Sequence, residues 1–126
     1  MAGFARLASA ALSVGRDVSG DCPSRSRPID LVHLTRQTLG DRALEREILG
    51  LMQRQIIAFA DRLHLATDAE RGQIAHALKG AARNIGAFAL AAAAETLERE
   101  PGSASAQAAM EAEMQRISLF IAALGN

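Results

Sequence analysis

The chain has 126 residues, with 14 basic and 14 acidic groups and no net formal charge. That length suits one compact core rather than two. The charge balance excludes a general nucleic-acid binder, which carries a basic excess. The absence of Trp and Tyr, with only four Phe, excludes an aromatic platform for stacking bases. Hydrophobic residues make up 49%, enough for a buried core, and the 27 alanines favour helix. Thirteen of the 14 basic residues are Arg, and Lys79 is the one Lys.

Taken in chain order, residues 1–14 carry one Arg and a short run of small apolar side chains, a poor secretory signal. Cys22 has no second cysteine to pair with, so no internal disulfide forms. Residues 15–28 are rich in Gly, Ser, Pro and Arg and read as linker. Residues 1–27 are therefore an arm or linker, with room for some helix, and residues 28–126 are the folded unit. No apolar run reaches the roughly 18 residues that span a bilayer, so no membrane association is expected.

From Pro28 onward the pattern is helical throughout. Asp30 is placed to cap a short helix from Leu31 to about Leu39, closed by Gly40. Asp41 caps a long second helix ending near 64–66, with Leu44, Ile48, Leu51, Met52, Phe59 and Leu63 at helical spacing. Asp68 caps a third, 68–85, with Ile74, Leu78, Ala81 and Ile85 as its apolar stripe and a turn at Gly86. A fourth runs from Ala87 to about Glu100, with Leu90, Ala94 and Leu97 on one side. Pro101-Gly102 breaks the chain. Ser103 or Ser105 caps the last helix, lined by Met110, Met114, Ile117, Ile121 and Leu124. Short loops between long amphipathic helices make neighbours antiparallel. The expected fold is all-α: an up-and-down antiparallel four-helix bundle with an additional short N-terminal helix.

The third helix carries the chemistry. At about 100° per residue, with Ile74 at zero, His76 falls near 200°, Lys79 near 140°, Gly72 near 160°, Arg83 near 180° and Gly80 near 240°. His76 is thus on the solvent side, with Lys79 one turn away. Gly72 and Gly80 lie four residues to either side of His76. Each costs roughly 1 kcal/mol against Ala inside a helix, in a chain that uses Ala freely. Two glycines beside an exposed imidazole leave room for another macromolecule to approach. A neutral imidazole is a nucleophile, and a nearby ammonium stabilises a phosphoryl group placed on it.

The segment His76-Ala77-Leu78-Lys79-Gly80-Ala81-Ala82-Arg83-Asn84-Ile85-Gly86-Ala87, followed by Leu90, Leu97 and Glu98, resembles the signature of histidine-containing phosphotransfer (HPt) domains. The likeness covers about residues 29–124 and leaves out 1–27. It implies that His76 is the phosphoacceptor through Nε2, that Lys79 stabilises the phosphoryl charge and the docked partner, and that Gly80 gives the partner clearance. It also implies that Glu98 bonds the other imidazole nitrogen. A height argument agrees. His76 lies about 15 Å before the Gly86 turn and Glu98 about 18 Å after it. Gln73, one turn before His76, is a weaker candidate for that contact, and Arg83 is an alternative partner for Glu98. Gly72, Gln73, Gly80 and Arg83 form the candidate docking face, with Leu49 and Ile57 as possible apolar members, either of which would equally serve as core.

The resemblance implies a phosphorelay intermediate rather than an enzyme. It would pass phosphoryl groups between aspartates of response-regulator receiver domains, with a hybrid histidine kinase as a further partner. It implies no cofactor on this chain, with Mg²⁺ held by the receiver. A cytoplasmic monomer that binds no nucleic acid is expected. Two other readings are a helical binding module without relay and the dimerisation fragment of a histidine kinase. His33 and His64 have no Cys or His at ligand spacing, so no metal site is expected.

Overall fold

The structure, a computed structural model, describes residues 27–125. The expected arm, Arg27 apart, lies outside the described residues, as does Cys22. The described residues form five helices and no strand: α1 (Leu31–Thr38), α2 (Arg42–Leu63), α3 (Asp68–Ile85), α4 (Phe88–Arg99) and α5 (Ala104–Leu124). Helices α2 to α5 close a ring in which α2 packs on α3, α3 on α4, α4 on α5 and α5 on α2. The short α1 lies across α2 and α3. This is the expected all-helical bundle with an extra N-terminal helix.

Local chemistry explains where each helix starts and stops. The Asp30 carboxylate accepts from the Val32 and His33 amides and opens α1. That helix ends one residue earlier than expected. Leu39 itself adopts the left-handed conformation at φ 54°, ahead of Gly40 at φ 80°, and the Gly40 amide reaches back to the Thr35 carbonyl at 3.0 Å. Asp41 caps α2 through the Leu44 amide. The cap of α3 is Thr67, not Asp68. The Thr67 hydroxyl accepts from the Glu70 amide while the Glu70 carboxylate accepts from the Thr67 amide, a reciprocal box. Asp68 instead occupies the first turn, where a negative charge suits the helix dipole. Ser103, of the two serines considered, caps α5 through the Ala106 amide.

Gly86 ends α3 at φ 86°. An added Cβ there would sit 2.9 Å from the Asp30 carbonyl oxygen. The Gly86 carbonyl in turn accepts from the Asp30 amide at 2.9 Å. The α3–α4 turn and the start of α1 are thus in direct backbone contact, a packing that only glycine allows.

The core holds Leu34, Met52, Leu63, Leu78, Leu90, Leu97, Met110, Met114 and Ile117, each almost fully buried. The α2 stripe is rotated from its expected position. Leu49, Met52, Ile56 and Leu63 are buried, whereas Leu44 and Leu51 are exposed. Leu44 and Leu51 sit about 80° and about 100° around the helix from the nearer edge of that arc. α2 has more apolar surface than one stripe, and contact with α1, α3 and α5 selects the buried part. Leu124, at the end of α5, is also exposed. Glu45 is buried at the α1–α2 junction. Its Oε2 lies 3.1 Å from the Thr38 hydroxyl, whose proton it shares with the Leu34 carbonyl. Arg42 balances its charge at 3.6 Å.

Candidate functional site

Helices α3 and α4 make the most extensive helix–helix contact among the described residues, and each buries small side chains. Ala75, Ala82, Ala91 and Ala94 are all buried. Folding back at Gly86 brings His76 and Glu98 to the same height. The His76 side chain remains 70% exposed, that of Glu98 29% and that of Lys79 only 18%.

One carboxylate joins the three. Glu98 Oε2 lies 2.7 Å from His76 Nδ1, and Oε1 accepts from Lys79 Nζ at 2.6 Å. An ionised carboxylate only accepts, so the proton of the first bond belongs to Nδ1. Nε2 then carries the lone pair of the neutral ring. The Lys79 hydrogen bond, and after it that of His76, hold the Glu98 carboxyl below the ordinary carboxylate range.

The remaining sequence candidates divide. Arg83 does not reach Glu98; its guanidinium lies 3.6 Å from Glu95 Oε1, and Arg99 takes the other oxygen of Glu95 at the same distance. Gln73 is exposed on α3, and Glu98 occupies the imidazole nitrogen it was considered for. Gly80 is exposed and Gly72 half-buried. A Cβ added to either meets nothing within 4 Å, so packing inside the chain does not require glycine there. Leu49 is core at 8% exposure, whereas Ile57 is 56% exposed. A groove of about 540 Å³ runs between α1, α2 and α3, lined by Leu34, Ile48, Leu51, Met52, Ala81 and Asn84 among others.

Two contacts were not read from the sequence. The first is Lys79 on Glu98. Its signal was available, because the acid placed level with His76 lies within reach of a lysine one turn on. The second is His33. Its Nε2–H donates to the Asn84 carbonyl at 3.2 Å, and its ring meets Phe88 edge-on at 5.3 Å. Burial is the main cause that lowers its pKa. His33 thus ties α1 to the end of α3, a contact no local pattern announces.

The Hpt domain family model matches residues 46–124. The chain therefore belongs to the Hpt domain family, whose members are helical phosphotransfer intermediates. Neither the curated proteins nor the solved structures gave a match. The family match begins inside α2, so α1 lies outside it.

Proposed function

We propose that the protein relays a phosphoryl group between receiver-domain aspartates through His76, with residues 28–126 as the working unit. The observation that carries this reading is the exposed imidazole with Nδ1 bonded to Glu98. The Nε2 lone pair attacks the phosphorus of a receiver phospho-aspartate in line. The N–P bond forms as the acyl P–O bond breaks, and the electron pair leaves with the aspartate carboxylate. No proton has to leave Nε2, because the neutral ring holds its proton on Nδ1. The same step in reverse passes the group to a second aspartate. The receiver supplies Mg²⁺ and most of the charge stabilisation. Lys79 contributes an ammonium to the transferred group.

Docking uses the face around His76, with Gly72, Gln73, Gly80 and Arg83, and with Ile57 in place of the buried Leu49. The protein acts as a monomer in the cytoplasm, with response-regulator receivers and a hybrid kinase as partners. Incubation with a phosphorylated receiver tests the core of this reading. The wild type should take up acid-labile label, and His76→Gln should take up none while keeping its helicity. A wild type that stays unlabelled removes the relay and leaves a binding-only module. Label that persists on His76→Gln moves the acceptor elsewhere.

A further inference from the structure

Packing leaves one apolar strip of α2 without full cover. Leu44, Ile48, Leu51 and Gln55 fall within about 40° of Leu44 on the α2 wheel, beside the arc that enters the core. Ile48 is half-buried, and Leu44 and Leu51 are 38% and 51% exposed. Ile48, Leu51 and Gln55 line the groove of about 540 Å³, with Leu34 of α1 and Ala81 of α3 on its other walls. No charged side chain lines it.

The same chain carries an apolar strip of matching length. Residues 4–14 lie outside the described residues, and their sequence divides into two faces at helical spacing. With Phe4 at zero, Leu7, Ala8, Ala11, Leu12 and Val14 fall within about 80° of it, and Arg6, Ser9 and Ser13 fall about 140–180° away. On helices, both strips are about 15 Å long. A stretch this short does not hold a helix alone in water, so a helix there needs a surface for its apolar face. Residues 15–28 connect it to Ile29, which is fully buried just ahead of α1. Extended, that connection reaches about 45 Å, and Leu34 of the groove sits only one turn into α1. Such a tether holds the stretch near the groove at an effective concentration on the order of millimolar.

We propose that residues 4–14 form a helix that docks its apolar face in the groove between α1, α2 and α3 of the same chain. The α3 wall of the groove, Ala81 and Asn84, adjoins Gly80 and Arg83 of the docking face. A seated arm therefore narrows the face that a receiver meets. That consequence rests on the relay reading; the docking does not.

The test uses the full chain, with a nitroxide moved from the single native cysteine to the polar face of the stretch by Cys22→Ser and Ser9→Cys. Methyl NMR spectra should show Leu34, Ile48 and Leu51 broadened and Leu119 of α5 unaffected. Leu7→Asp, which lies outside the bundle, should abolish the broadening, and Leu51→Gln should weaken it from the groove side; circular dichroism checks the fold of each. Broadening that is absent, spread over the bundle or centred on another face overturns the proposal. So does broadening carried from a spin-labelled chain to a separate isotope-enriched one, which would make the occupant a second copy. For the consequence, Leu7→Asp should take up label from a phosphorylated receiver faster than the wild type, and equal uptake overturns it. No uptake by either chain fails the relay reading and that consequence with it, while the spectra decide the docking.

Discussion

Glu98 is the residue on which the site turns, because it serves a base and a cation at once. Its role was half legible: the height argument placed it level with His76 and within reach of Lys79, but did not choose between Lys79 and Arg83 as its cation. That choice depends on where the long side chains run between α3 and α4, and Arg83 went to Glu95. The carboxyl is held below its ordinary value of 4.5. A depressed carboxylate adds stability that is fully present above its unfolded value and is lost as pH falls through the lower folded one. The melting-temperature gap between wild type and Glu98→Gln should therefore hold steady from neutral pH down to that region and close only below it. A gap that closes near neutrality would contradict the pairing of Glu98 with Lys79 and His76. His33 also weakens the fold in acid, because burial lowers its pKa from 6.5, but it is present in both proteins and cancels from the difference.

At the scale of the element, the glycines at 80 and 86 behave oppositely. Gly80 meets open space in a regular helix, so Gly80→Ala should stabilise the protein by about 1 kcal/mol while slowing transfer from a phosphorylated receiver. Denaturant melts and transfer kinetics read the two effects separately. A variant that is more stable and transfers at the wild-type rate would remove Gly80 from the docking face. Gly86 has φ 86° and the Asp30 carbonyl at its back. There Ala should destabilise by about 1–2 kcal/mol from the left-handed backbone alone, with the steric contact adding to it. The sequence placed all five helices within a residue or two, because caps and breakers act locally. It misassigned the α3 cap, since Thr67 and Asp68 are both competent and the geometry of Glu70 decided between them. It also misplaced the buried arc of α2, since the α2 sequence alone does not say which neighbours cover it.

For the whole molecule, the four long helices bury a single core in which Leu97 is completely enclosed. Leu97→Ala should cost about 2–5 kcal/mol, the range for a buried Leu truncated to Ala. Leu97 directly precedes Glu98 on α4, so the same variant should loosen the His76–Glu98 contact, which histidine NMR would show. Sedimentation should give a monomer, since the proposed docking face is reserved for a receiver; an obligate dimer would favour the kinase-dimerisation reading instead.

The sequence by itself determined the helices, their order, the exposure of His76 and the family to which the chain belongs. These follow from periodicity, caps and a motif that is continuous in sequence from α3 through the Gly86 turn into α4. Only the tertiary structure decided that Lys79 and His76 share one carboxylate, that Arg83 pairs with Glu95, that Leu49 is core while Ile57 is exposed, and that His33 fastens α1 to α3. Each of those depends on the relative rotation and height of two packed helices, which side-chain packing sets and no single segment encodes.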